Sequence, residues 1–241
     1  MSEAAAAPEK QGSVWEDCLE VLWAPATVFD RSRARGVGMY LLVLTAILAV
    51  IIVATKGLLQ PYVDANYDMQ VIQMAKQTQK PMPAEAVAAG RTAAGYIFLV
   101  FAALTPVLSG LLGGLANWGG AKILRVPLTL GRGVFIATLA SVPRVLSFLS
   151  TAVQGAVLDT SNVTSLFSAS LGPARFVDPA TTSPAVLGLL ASIDVFAVWT
   201  IVITAVGVSV VTKTSRSSGW LVSVVAWALV VLLSLVPAAL T

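Results

Sequence analysis

The chain has 241 residues, of which 57% are hydrophobic and only 11% charged, with a net charge of +3, no histidine and a single cysteine, Cys18. Soluble domains carry about a quarter charged residues, so this composition and a mean hydropathy of +0.85 exclude an ordinary soluble fold and describe a multi-pass membrane protein. An intrachain disulfide framework, histidine-based metal or acid–base chemistry and a basic nucleic-acid patch are excluded with it.

In chain order, residues 1–13 lack the basic start and apolar core of a signal peptide and read as a short disordered tail. Residues 14–36 read as a cytoplasmic amphipathic helix followed by a basic linker. In the helix, Val14, Trp15, Cys18, Leu19, Leu22 and Trp23 recur at helical spacing, Glu16, Asp17 and Glu20 fall on the other face, and Pro25 ends it. Because that polar face is acidic, lipid attraction is not its evident purpose. An interfacial or partner-docking role is expected of Trp15, Leu19, Leu22 and Trp23.

Five apolar stretches follow, at about 37–55, 93–115, 133–158, 185–211 and 220–240, each long enough to cross a hydrocarbon core of roughly 30 Å. Backbone in lipid must satisfy its own hydrogen bonds, so these are helices, and the fold class is an all-α membrane protein with a five-transmembrane-helix bundle. Arg31, Arg33 and Arg35 before the first span, Lys122, Arg125 and Arg132 between the second and third, and Lys213 and Arg216 between the fourth and fifth are concentrated in short segments. The positive-inside rule then places the N-terminus inside and the C-terminus outside. The loop after the first span carries a weak stripe, Tyr67, Val71, Met74 and Ala75, which predicts a short helix there. The loop before the fourth span is rich in Ser, Thr, Pro and Gly and reads as irregular.

The end of the second span, "TPVLSGLLGGLANWGGAKIL", carries small side chains at Ser109, Gly110, Gly113, Gly114 and Gly120. Helices in lipid associate where small residues permit close approach, so these positions are expected to pack within the chain. In the third span, Pro143 removes an amide donor and should kink the helix. Arg144 beside it lies about 17 Å into the span at 1.5 Å per residue. Asp194 in the fourth span lies at roughly 16 Å from the same boundary. The matched depths predict an intramembrane Arg144–Asp194 ion pair. Two readings of it stand open: a structural pair that fixes two helices, or a substrate or proton site in a carrier.

Catalysis has little to draw on. A Ser-His-Asp arrangement needs histidine, an intramembrane aspartyl protease needs two membrane carboxylates, and a Ser-Lys dyad needs a lysine inside a span. No enzymatic activity, no cofactor and no metal site are expected.

The joint order of four features resembles the bacterial branch of the YIP family, multi-spanning membrane proteins named for Ypt/Rab-interacting proteins. They are "EVLWAPATVF" at Glu20 to Phe29, the glycines around Gly113, "SVPRVL" at Ser141 to Leu146, and "IDVFAVWTIVITAVGVSVVTKTS" at Ile193 to Ser215. The resemblance covers nearly all of the chain after residue 13. It implies a non-enzymatic scaffold or accessory protein of the bacterial plasma (inner) membrane, in contact with the lipid bilayer. The partners it implies are other integral membrane proteins, among them ABC-type efflux complexes, or further copies of the chain. A counterpart of the eukaryotic branch's Asp-Leu-Tyr-Gly-Pro segment is missing, so Rab-type GTPases are not expected partners. The runner-up reading is a small-solute or ion transporter using Arg144 and Asp194.

Overall fold

The computed structural model describes residues 12–239, so the tail expected over 1–13 lies, except for residues 12 and 13, outside the described residues, as does residue 240 of the last span. All regular structure among the described residues is helical. Five helical segments are long and apolar enough to cross a membrane: Val37–Thr78, Ala84–Ala103, Leu130–Val157, Val195–Thr212 and Arg216–Val236.

The N-terminal region folds as two short helices, α1 (Val14–Glu20) and α2 (Pro25–Ser32). A capping box starts α1: the Ser13 hydroxyl accepts from the Glu16 amide at 3.2 Å, and the Glu16 carboxylate accepts from the Ser13 amide at 2.6 Å. Pro25 opens α2, where a missing amide costs nothing. It therefore begins a second helix in place of closing the first, and the expected linker is mostly helical.

The first span is part of α3 (Val37–Thr78), 42 residues long, or about 63 Å. The loop expected after residue 55 is in fact its continuation, with Pro61 accommodated inside the helix. Packing explains why the helix persists. Leu59, Tyr62 and Val63 are buried, and Arg91 of α4 (Ala84–Ala103) forms ion pairs with Asp64 at 3.9 Å and with Asp68. The two helices make an antiparallel hairpin that extends past the length a bilayer requires.

The second span also differs from expectation. Residues 93–115 straddle a break at Leu104, after which Pro106 sits in the first turn of α5 (Thr105–Ile123). The third span runs through α6 (Leu130–Ala140) and α7 (Val142–Val157), interrupted at Ser141. The interruption falls two residues before Pro143, which sits in the first turn of α7. The Ser141 hydroxyl donates to the Thr138 carbonyl at 2.7 Å. The fourth span is divided into α8 (Pro184–Ala191) and α9 (Val195–Thr212), and α10 (Arg216–Ala239) closes the bundle.

The α6–α7 span is the centre of the bundle, with 61% of its most apolar window buried. The glycines of α5 pack within the chain as expected. A Cβ on Gly114 would lie 2.6 Å from the Val134 Cα, one on Gly110 2.6 Å from the Thr138 hydroxyl, and one on Gly113 3.1 Å from the Ala137 Cβ. Gly120 instead faces α10, 3.2 Å from the Val222 carbonyl by the same measure. Ser109 is half-buried beside them. Between α7 and α8 the chain forms three 3-10 turns, Thr160–Asn162, Leu166–Ala169 and Pro173–Phe176. Ser165, Ala169 and Ala174 are buried, and the Gln154 side chain donates to the Ala169 carbonyl at 2.9 Å, so this segment is packed onto the bundle.

Candidate functional site

Two polar centres are built into the bundle, one at the N-terminal face and one in the membrane interior. The first surrounds Asp17, which is fully buried. One carboxylate oxygen receives Arg31 Nε at 2.8 Å and Nη2 at 2.6 Å. The other receives Arg35 Nη1 at 2.8 Å, the Ser32 hydroxyl at 2.6 Å and the Tyr40 hydroxyl. Arg31 also meets Glu20 at 2.6 Å, so two carboxylates balance two guanidiniums. Charge-assisted, near-bidentate contacts are the strong ones. These join α1, α2 and the start of α3 into one unit.

Apolar packing carries that unit into the core. Phe29 is fully buried and meets Phe135 edge-on, with ring centroids 5.9 Å apart, while Tyr40 meets the same ring at 5.8 Å. Cys18, Val21 and Val28 share this core with Ile136, Ile203 and Val208. Trp199 of α9 donates its indole N–H to the Leu22 carbonyl at 3.2 Å. The placement of Asp17 on the outer face of α1 is therefore corrected. Asp17, Cys18 and Val21 point inward, Leu22 is half-buried, and Trp15, Leu19 and Trp23 are exposed. The tryptophan row covers more apolar area and dominates the periodicity, but Asp17 is drawn inward because two arginines of α2 and its C-terminal turn await it. Asp17 went unsingled in the sequence; the usable signal was its place on one helical face with Cys18 and Val21, ahead of three closely spaced arginines.

Burial, and after it the Asp17 charge, push the Cys18 thiol from 9.0 up to about 12. The reactive thiolate is thereby suppressed. At pH 8 iodoacetamide should alkylate Cys18 on the order of 1000-fold more slowly in the folded protein than in SDS, by the ratio of thiolate fractions. Equal rates would show that α1 does not stay docked.

The second centre is a cavity of about 210 Å³ enclosed by α5, the α6–α7 junction, α9 and α10, with Arg144 in its wall. Asn117, Ser141, Thr204 and Ser223 contribute nearly buried polar side chains to it. A separate cavity of about 190 Å³ lies against the 3-10 segment and holds Ser147, Thr151 and Asp194. The polar face of the third span is thus divided between two cavities.

The expected Arg144–Asp194 ion pair is absent; the described residues place the two groups apart. Asp194 caps α9, its carboxylate accepting the Ala197 amide at 2.6 Å. Arg144 is exposed on its own side of α7 and has no carboxylate within ion-pair distance among the described residues. The two side chains lie at different levels of the bundle. Gly207 packs against Ile136, which sets a common level. From there Arg144 is eight residues along and Asp194 thirteen, or about 12 Å against about 20 Å.

No family model, curated protein or solved structure matches this chain. Its site therefore has to be read from its own chemistry. Among the described residues no three His, Cys, Asp or Glu side chains approach closely enough to hold a metal. What the two centres offer is a largely buried ionic joint at one face and a mainly apolar cavity within the spans that carries Arg144 and several hydroxyls.

Proposed function

We propose that the chain is a non-enzymatic integral membrane accessory protein of the YIP type, oriented with its N-terminal face in the cytoplasm of a bacterial cell. Its partners are other integral membrane proteins, and the resemblance suggests an ABC-type efflux complex as their class. The observation that carries this reading is the sparse packing of α4. Only 6% of its most apolar window is buried, the smallest share among the five spans. Ala86, Ala89 and Ala93 line its exposed side and are followed at helical spacing by Ile97 and Val100. Small residues in such a row admit close approach by another helix, which lipid tails do not require.

The docked N-terminal segment supports the same reading. Interfacial helices that only anchor a chain have no need of a buried ionic joint. Here the joint gives the cytoplasmic face a fixed shape. The carrier reading requires Arg144 and Asp194 in one path, and their placement in different cavities does not favour it.

The test is recovery of the tagged full chain from native membranes in mild detergent. The accessory role predicts reproducible, stoichiometric recovery with a second integral membrane protein, lost when Ala89 and Ala93 are both replaced by tryptophan. Recovery solely as the 25.0 kDa chain would contradict it.

A further inference from the structure

Beyond an accessory role, and independently of it, the cavity beside Arg144 has the features of a ligand site. Arg144 lies about 12 Å deeper than the Ile136–Gly207 level. That level is already inside the bundle, where Phe29, Phe135 and Tyr40 cluster. An arginine so placed is expensive in hydrocarbon and takes a counter-charge wherever one is offered. None is offered by the described residues of the chain.

The surroundings are prepared for a polar group. Two of the five lining hydroxyls are occupied by backbone carbonyls: Ser141 bonds Thr138, and Ser223 bonds Ile201 at 2.7 Å. The Thr200 hydroxyl oxygen is buried in the cavity wall without a hydrogen-bond partner. Two spans also lose helical regularity near this depth. Gly110 packs on Thr138 and Gly114 on Val134, so α5 and α6 run antiparallel with the Leu104 break level with the Ser141–Pro143 break. Discontinuous membrane helices of this kind are where polar ligands are held in many transport proteins.

The cavity opens sideways. Leu108 and Leu112 of α5 and Val230 of α10 line it and are 38%, 56% and 41% exposed, so its mouth faces hydrocarbon and not an aqueous vestibule. A soluble anion would have to cross lipid to enter, whereas an amphiphile is already there. We infer that this cavity binds an anionic amphiphile, its carboxylate or phosphate head on the Arg144 guanidinium and its chain leaving past Leu112 and Val230. The planar guanidinium fork matches both heads, and the Thr200 hydroxyl is free to donate to the bound oxygen.

The experiment uses the full chain in phosphatidylcholine nanodiscs with a diazirine-bearing stearic acid, its adducts mapped by peptide mass spectrometry. Adducts should fall on α5 near Leu112 and α10 near Val230 and be competed by oleate or phosphatidate but not by oleyl alcohol. Competition by oleate alone assigns a carboxylate, and by phosphatidate alone a phosphate; either supports the site. Arg144→Gln should weaken labelling roughly tenfold, the worth of a charged hydrogen bond, and Arg144→Lys should retain part of it. Undiminished labelling in a folded Arg144→Gln protein, or equal competition by oleyl alcohol, would overturn the inference. Should Arg144→Gln not fold, Leu112→Trp decides: it keeps the charge and blocks the mouth, so unchanged labelling would also overturn it.

Discussion

Replacing Asp17 with alanine should destabilise the protein by about 3 kcal/mol and release α1 and α2 from the bundle. Removing one partner of a buried ionic group strands the others, which costs about 3–5 kcal/mol in general. The lower end applies because the Arg31 and Arg35 side chains are still 19% and 24% exposed and can be partly rehydrated. The loss has a local readout: Cys18, adjacent in sequence and buried in the same core, should become alkylated at the rate of an ordinary thiol. A companion variant separates charge from packing. Asp17→Leu combined with Arg31→Leu and Arg35→Met removes the buried carboxylate and both guanidiniums, leaving of the ionic set only Glu20, whose side chain is 27% exposed, and such replacements are often neutral or stabilising. The triple variant should therefore recover stability and keep Cys18 protected. If Asp17→Ala alone leaves both stability and Cys18 protection unchanged, the ionic joint does not hold the N-terminal segment.

The second large effect is expected at Gly114. A methyl group there would sit 2.6 Å from the Val134 Cα and 2.7 Å from its amide nitrogen, and backbone cannot move aside as a flexible side chain can. Gly114→Ala should therefore cost about 3 kcal/mol, the upper end of the usual overpacking range, with α5 displaced from α6 and the Arg144 cavity opened. Gly57 supplies the control, since a Cβ there meets nothing within 4 Å. Gly57→Ala should be neutral or stabilise by up to about 1 kcal/mol, because alanine is the better helix former. Thermal melting of the detergent-solubilised variants distinguishes the two; similar melting of both would contradict the close α5–α6 approach.

The bundle was legible in the sequence because its physics is compositional. Long apolar runs must be helices in lipid, and the small-residue row of α5 announced a close contact that Gly110, Gly113 and Gly114 make with α6. What escaped the sequence depended on contacts between distant segments. Residues 56–78 looked like a loop holding a short separate helix, because Lys56, Asp64, Asp68 and Pro61 interrupt the apolar pattern; the helix is there but continuous with the span, since Tyr62 and Val63 are buried against the bundle and Arg91 answers the acids. Asp17 looked like the solvent side of α1 because its arginine partners are fourteen and eighteen residues away. The Arg144–Asp194 pair failed for a different reason. A depth count from the ends of each span leaves open where two spans meet, and the Gly207–Ile136 contact puts the two side chains at different levels of the bundle.

These differences also change what Arg144 means. Paired with Asp194 it would be a fastener between spans; without an ion-pair partner among the described residues, and at the wall of a cavity lined by α5 and α10, it is open to a partner from outside the chain. The proposed accessory role and the proposed anionic ligand use two faces of one bundle. One is the under-packed side of α4, and the other is the cleft walled by α5, the α6–α7 junction, α9 and α10.

The most direct measurement of the accessory role is site-specific photocrosslinking in native membranes, with a photoreactive amino acid placed in turn at Ala89, Ala93 and Ile97 on α4 and at Leu232 on α10, all exposed. A discrete adduct with another integral membrane protein from the α4 positions, and none from Leu232, is the predicted result. Lipid adducts alone from all four positions would contradict it.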